Sequence, residues 1–167
     1  MVSLADIQDA EKRISPYIIH TPLVLSPTLC ELTGANVYLK LETLQKAGSF
    51  KVRGATNKIL SNIHGIRERG VVTASAGNHA QGVAVAAHSA GISAMIVMPE
   101  WSSLSKQEAA RGYGAQVVIH GRSLEESIRK ALEISDTGRL FIHPFDDDEV
   151  ITGQGTVALE IFADLPD

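Results

Sequence analysis

The sequence predicts an α/β protein with an open, mainly parallel twisted sheet and helices on both faces, in three layers. Two observations support this fold class. From about residue 71 onwards, short apolar segments of strand length alternate with segments of helical periodicity. Capping residues or glycines separate the segments, so each helix can return the chain to the next parallel strand. Right-handed crossovers would then place the loops after the strands at one edge of the sheet.

Two helices are predicted before residue 36 from their capping residues. Ser3 and Asp6 have the spacing of a capping box, so a first helix begins there and ends near Ser15-Pro16. Ser26-Pro27 supplies an N-cap and a first-turn proline for a second helix, and Gly34 is a natural stop.

The remaining elements follow from periodicity and from their boundaries. A strand in the second half of the chain is closed by Pro99, and Glu125-Glu126 in a helical first turn suits the helix dipole. Strands are predicted at residues 36–41, 71–73, 92–97, 116–119 and 140–142. Further helices are predicted at residues 51–62, 80–90, 103–112, 123–134 and 151–163.

Composition narrows the classes of function. The chain has 167 residues, 44% of them apolar, which is enough for one ordinary domain or two small ones. Its net charge is -4 and its pI is near 5.8, with basic residues scattered, so neither nucleic acid nor a membrane is an expected partner. The single Cys30 rules out an intrachain disulfide, and the first residues lack a signal-peptide pattern. A cytoplasmic location is therefore expected.

Lys51 is the first candidate for chemistry. The segment Gly48-Ser49-Phe50-Lys51 opens a helix, where amide and hydroxyl donors gather around the amine. A lysine that is desolvated there can act as a nucleophile or base, because its pKa falls. Most lysines in a first helical turn are solvated, and spacing alone leaves that alternative open.

The turn Ser75-Ala76-Gly77-Asn78-His79 is the second candidate. It links the apolar strand at residues 71–73 to a helix, so it places free backbone N–H groups at a helix N-terminus. Such groups suit a carboxylate or a phosphate. An ordinary strand-to-helix turn with a capped helix is the alternative.

The two segments together resemble a known family. Ser49-Phe50-Lys51-Val52-Arg53-Gly54-Ala55 and Ser75-Ala76-Gly77-Asn78-His79-Ala80-Gln81-Gly82 are similar to motifs of the pyridoxal-phosphate threonine dehydratases, or threonine ammonia-lyases. The resemblance continues in Met98-Pro99-Glu100, Arg111-Gly112-Tyr113-Gly114-Ala115, His143-Pro144-Phe145-Asp146 and Gly153-Gln154-Gly155-Thr156. It implies the small domain of the tryptophan-synthase-β-like fold (fold type II). The implied activity is the deamination of L-threonine or L-serine to 2-oxobutanoate or pyruvate and ammonia.

The resemblance also implies a role for each matching residue. Lys51 matches the lysine that holds pyridoxal phosphate as a Schiff base and, once freed by the substrate, removes the α-proton. Phe50 matches an aromatic residue that packs on the cofactor ring, and Asn78 matches an amide that hydrogen-bonds the ring's 3′-oxygen. The loop that would hold the substrate carboxylate comprises Ser75, Ala76, Gly77, Asn78 and His79. Arg53 is assigned only a supporting role.

Ala76 bears on the choice of reaction. Related serine racemases carry a serine at this position, which exchanges a proton on the opposite face of the substrate. Alanine cannot do this. The residue therefore favours dehydration, with a serine racemase-like enzyme as the alternative.

Two further patterns are not interpreted as sites of chemistry. The segment 153–158 fits the dinucleotide pattern G-x-G-x-x-A, but an acidic run at 146–149 precedes it instead of a strand, so packing is favoured. The six histidines show no metal-binding spacing, and no metal is expected. Of these histidines only His79 is near the candidate site, where a supporting role is favoured over catalysis.

The resemblance finally predicts how the chain divides. Residues 1–47 would pack on a large domain, residues 48–144 would form the small α/β domain that carries the lysine, and residues 145–167 would begin the large domain. The family continues with a glycine-rich loop for the cofactor phosphate. We therefore expect an N-terminal part with weak or absent activity on its own, and the resemblance leaves open whether cofactor binding also needs a C-terminal half. Its expected partners are a small amino-acid substrate and either a second copy or that complementing half. A non-catalytic fragment or interaction module that keeps the fold is the alternative.

Overall fold

The computed structural model describes residues 1–165. The helices are α1 (Leu4–Ile14), α2 (Pro27–Thr33), α3 (Lys51–Ser61), α4 (Ile63–Ile66), α5 (Asn78–Ala90), α6 (Leu104–Gly112), α7 (Leu124–Ser135) and α8 (Asp148–Asp164). The strands are β1 (Leu23–Leu25), β2 (Tyr38–Lys40), β3 (Val71–Ala74), β4 (Ala94–Met98), β5 (Gln116–Ile119) and β6 (Leu140–Phe141). A short 3₁₀ helix spans Glu42–Leu44.

Four of the strands form one parallel sheet in the order β5-β4-β3-β6. A helix follows each of β3, β4 and β5 and returns the chain to the next strand, so the carboxyl ends of the strands share one edge. The predicted α/β fold with a mainly parallel sheet is confirmed. β1 and β2 form a separate antiparallel pair, and β1, which has three residues, was not predicted because it is too short to show alternation.

Helices cover both faces of the main sheet, because successive side chains of a strand point to opposite faces. On one face Val71 and Ile96 pack with apolar side chains of α5. On the other face Val72 and Val97 pack against Ala131 of α7. α3 packs on α5 and α8 rather than on the strands, so Lys51 lies on a helix held between two others.

The start of α8 differs from the predicted residue 151. Asp147 is the N-cap, and its carboxylate accepts backbone hydrogen bonds from Glu149 at 3.0 Å and Val150 at 3.1 Å. The acidic run therefore caps the helix and lies in its first turn, where negative charge is stabilised by the free N–H groups. The glycines at 153 and 155 lie inside α8.

The predicted division at residues 47 and 144 stays a prediction. In the structure α1 packs on α3 and on α8, so the three predicted parts are in contact. Residues 166 and 167 of the predicted third part lie outside the described residues. Within residues 1–165, no helix is long and apolar enough to cross a membrane.

Candidate active site

Lys51 is the first residue of α3 and is half-buried. Its Nζ donates a hydrogen bond of 2.8 Å to the backbone carbonyl of Pro144, in the loop after β6. The centroid of the Phe50 ring lies 5.3 Å from the same Nζ, within the range of a cation–π contact. Burial lowers the pKa of Lys51, because desolvation disfavours the charged ammonium. Lys51 is therefore not the fully solvated first-turn lysine that spacing alone allows.

The turn after β3 carries the other predicted site residues. Ser75 is buried, and its Oγ accepts a hydrogen bond of 3.1 Å from the backbone N–H of Gly77. Gly77 is the N-cap of α5, and a Cβ at this position would meet open space. Since no side chain caps the helix, the N–H groups of its first turn are available to an anion. Ala76 is half-buried in the same turn.

His79 lies behind this turn and is 3% exposed. Its Nε2 donates to the backbone carbonyl of Ile142 at 3.3 Å, and its Nδ1 has no hydrogen-bond partner among the described residues. Burial lowers the pKa of His79 to about 4, the bond to Ile142 opposes this less strongly, and the charge of Lys51 lowers the pKa further. His79 is therefore neutral near pH 7 and cannot serve there as a charged acid.

The loop after β6 joins the two candidate segments. Its carbonyls at Ile142 and Pro144 accept hydrogen bonds from His79 and Lys51 respectively, and Thr73 at the end of β3 donates to Ile142 at 2.7 Å. Sequence reasoning did not find these acceptors, because a backbone carbonyl has no side-chain signature. In the sequence, this loop was marked only by the resemblance of residues 143–146 to a family motif.

Asn78 is placed differently from the other predicted residues. It is exposed, and its Oδ1 lies 3.5 Å from the amine of Lys106, which the sequence did not suggest as a neighbour. Within residues 1–165, no hydrogen bond joins Asn78 to Lys51. The structure therefore places Phe50 beside Lys51, bonds Lys51 and His79 to the same loop after β6, and leaves Asn78 exposed.

Gly82 sets how closely α5 approaches Lys51. A Cβ at position 82 would lie 2.9 Å from the carbonyl carbon of Lys51 and 3.0 Å from the backbone nitrogen of Val52. The first turn of α3 therefore packs directly on α5, one turn beyond the N–H groups that no side chain caps. The glycine that ends the second motif is the sequence signal for this contact.

Comparison with known proteins gives the site a context. Residues 14–167 match a family model described as pyridoxal-phosphate dependent enzyme. The L-threonine ammonia-lyase of Thermotoga maritima is 52% identical over 168 aligned residues, which cover 100% of this chain and 42% of that protein. The chain spans about half the length of the curated relatives it matches.

Solved structures share the fold. Maize serine racemase matches with a TM-score of 0.95 and 38% identity, over 99% of this chain and 51% of that one. The processed form of threonine deaminase isoform 2 from Solanum lycopersicum matches with a TM-score of 0.90 and 42% identity, over 98% of this chain and 45% of that one.

Proposed function

Since the chain belongs to the family of pyridoxal-phosphate-dependent enzymes, we propose that it is the lysine-bearing part of a threonine ammonia-lyase. The enzyme would deaminate L-threonine or L-serine to 2-oxobutanoate or pyruvate, with release of ammonia. The observation that carries the proposal is the position of half-buried Lys51: its amine lies beside the Phe50 ring and the Pro144 carbonyl, and its backbone packs on Gly82 of α5. Identity of 52% to an L-threonine ammonia-lyase supports this choice within the family.

The residues around Lys51 fit pyridoxal phosphate. A primary amine whose pKa is lowered by burial can condense with an aldehyde near neutral pH. Phe50 is 42% exposed, and its ring can pack on a flat heteroaromatic ring. The buried Oγ of Ser49 has no hydrogen-bond partner among the described residues, so it can donate to a polar group bound beside Lys51. When bound, the cofactor supplies an electron sink for negative charge at the substrate α-carbon.

Each predicted site residue has a part in this proposal. The amine of Lys51 would hold the cofactor covalently and, when free, would take the α-proton at Nζ. The N–H groups of Ser75 and Gly77 already donate within the protein, so the other N–H groups of the turn from Ser75 to His79 would hold the substrate carboxylate and orient the α-carbon. Neutral His79 ties that turn to the Ile142 carbonyl without adding charge. Phe50 would pack on the cofactor ring, and the side-chain amide of Asn78 would donate to the 3′-oxygen that the ring carries.

A serine racemase-like activity is the second candidate, because a serine racemase matches the fold with a TM-score of 0.95. Ala76 argues against it, since a methyl group cannot exchange a proton on the face opposite Lys51. With L-serine as substrate, the first candidate yields pyruvate and the second yields D-serine, so the product distinguishes them.

We further propose that turnover needs more chain than these 167 residues. The chain covers 42% of the threonine ammonia-lyase it matches, and the proposed phosphate-binding loop has no counterpart among the motifs found here. A complementing half, or a second copy in a homo-oligomer, would complete the site. The 167-residue chain alone is expected to show weak turnover or none.

The first test is binding of pyridoxal phosphate to the chain. We expect a visible absorption band from the lysine-bound cofactor, and after borohydride reduction a label on the peptide that contains Lys51. The Lys51→Ala variant should lose both signals, whereas Lys46→Ala, which removes an exposed lysine nearby, should keep them. No band, or a band that Lys51→Ala leaves unchanged, would contradict the proposal and favour a non-catalytic fragment.

A further inference from the structure

Arg53 is fully buried two positions after Lys51, in the same helical turn. Its Nε and Nη2 donate to the carboxylate of Glu42 at 2.9 and 2.7 Å, and its Nη1 and Nη2 donate to that of Glu160 at 2.6 and 2.9 Å. Its Nη1 also donates to the hydroxyl of Thr156 at 3.2 Å. All five N–H groups of the guanidinium thus have an acceptor.

Lys40 completes this buried cluster. Its Nζ lies 2.9 Å from Glu160 and 3.0 Å from Asp164, and it is 6% exposed at the side chain. Burial alone would raise the pKa of Glu160, but hydrogen bonds from Arg53 and Lys40 hold it below its ordinary value. The cluster therefore joins three parts of the chain through ionised groups: the segment before α3, the first turn of α3, and α8.

A buried cluster of charges is weak evidence for a stabilising role. Charges lose their hydration when they are buried, and apolar side chains of similar size often stabilise a fold as well or better. A guanidinium held by two carboxylates adds fixed geometry, because its planar fork binds a carboxylate in one orientation. Arg53 lies in the same turn of α3 whose backbone, at Lys51, packs on Gly82 of α5.

We propose that Arg53 is a positioning residue for Lys51, and that by holding Glu42 and Glu160 it fixes the first turn of α3 and thereby the place of the Lys51 amine. The inference rests on the proposed function for what the amine does. The proposed way in which the amine is held in place rests only on the observed contacts of Arg53. Within residues 1–165, no hydrogen bond joins Arg53 to the Lys51 amine or to the turn from Ser75 to His79, so it would act through the backbone of α3.

Lys58 provides a matched comparison within the same helix. It also bridges α3 to α8, with its Nζ 2.8 Å from Asp147, and it is 13% exposed at the side chain. Its ammonium is a point charge near the opposite end of α3 from Lys51. A change at Lys58 therefore weakens the contact between the two helices without touching the first turn.

The test measures how fast Lys51 reacts compared with exposed Lys46 in the same molecule. The 167-residue chain is treated with pyridoxal, which has no phosphate, then reduced with borohydride near neutral pH, and the labels are located by peptide mapping. In the wild type we expect Lys51 to be labelled faster. Arg53→Lys keeps the positive charge and loses the planar guanidinium. In this variant we expect the ratio of the Lys51 labelling rate to the Lys46 labelling rate to fall about tenfold, because a small displacement of a reacting group has effects of this size. Lys58→Gln should leave the ratio at its wild-type value.

Glu160→Gln keeps the volume of the side chain and is the second variant, so the comparison does not depend on Arg53→Lys folding. Circular dichroism and urea unfolding identify the folded variants. Suppose that Lys51 is labelled faster than Lys46 in the wild type. If folded Arg53→Lys or Glu160→Gln then has the same ratio of the two labelling rates, the positioning role alone is overturned. A wild-type ratio near one would contradict the proposed function and the positioning role with it.

Discussion

At the scale of single residues, His79 has the environment that most changes its chemistry. The folded protein holds its pKa at about 4, whereas the unfolded chain titrates near the ordinary 6.5. Between these values the unfolded state binds a proton that the folded state does not. Stability therefore rises with pH across this window and is lost as the pH falls from about 6.5 towards about 4. The upper bound of this loss is about 3 kcal/mol.

We expect His79→Gln to remove this part of the pH dependence, because glutamine can donate to Ile142 and does not titrate. Urea unfolding at about pH 7 and at about pH 5 measures the change in the free energy of unfolding between the two conditions. His88→Gln, which removes an exposed histidine from the same helix, should keep the wild-type dependence. An equal dependence in wild type and His79→Gln would show that His79 is not held neutral by the fold.

Single residues also show what the sequence could and could not predict of the candidate site. Lys51 and the turn from Ser75 to His79 were found because lysines and helix-opening turns have recognisable side chains and spacing. The carbonyls of Ile142 and Pro144 were not found, since any residue supplies the same acceptor. Arg53 was assigned a supporting role, because its two carboxylate partners lie 11 and 107 positions away and no local pattern links them.

At the scale of elements, the close crossing of α3 and α8 depends on two glycines. A Cβ at Gly153 would lie 2.7 Å from the Cα of Gly54 and 2.8 Å from the carbonyl oxygen of Arg53. These are backbone atoms, which cannot move aside as a flexible side chain can. The glycine-rich segment that fits a dinucleotide pattern is thus used for packing the helix that carries Lys51.

We expect Gly153→Ala to destabilise the fold by about 1–3 kcal/mol, the usual effect of overpacking a tight contact. Thermal or urea unfolding measures the change. Gly65→Ala is the matched control: Gly65 lies in α4 with no atom within 4 Å of an added Cβ, so alanine should be neutral or stabilise by less than about 1 kcal/mol. Equal stability of the two variants would mean that α3 and α8 are not in close contact.

Elements with clear caps were the ones predicted best. The capping box of Ser3 and Asp6 and the proline at the start of α2 are present in the structure. The start of α8 was misplaced because its first turn is acidic and polar, so apolar periodicity begins only after the true N-cap at Asp147. Local hydrogen bonds decide such boundaries, and hydrophobic pattern alone does not report them.

At the scale of the whole molecule, apolar side chains remain exposed on the β1–β2 pair. Val24 and Leu39 stand opposite each other in the register, so they share one face, and each is 38% exposed. Phe162 of α8 is 71% exposed. Exposed apolar surface of this kind favours association, which agrees with the proposed second copy or complementing half.

We expect the chain to associate with itself at increasing concentration, as measured by sedimentation velocity. The double variant Val24→Ser/Leu39→Ser should shift the equilibrium towards monomer, because it removes apolar area from one face of the strand pair. Leu104→Ser, which changes a 63% exposed leucine on α6, is the control and should have little effect. A wild type that stays monomeric, or an equal shift in the control, would contradict a role for this face.

The fold class of the whole chain was predictable because strands buried on both faces and intervening helices have different periodicities. The division at residues 47 and 144 stays a prediction, since the proposed parts pack on one another in the structure.

The order of the parallel strands also bears on when the candidate site forms during folding. β6, the last strand in sequence, pairs with β3, and the carbonyl that accepts from Lys51 follows it, 93 residues along the chain from that lysine. Closing so large a loop is slow, and contacts of this separation form late. On the ribosome, Lys51 would emerge long before its acceptor, so its amine would remain hydrated and of low reactivity until β6 had docked. Appearance of the reactive amine would therefore report completion of the sheet.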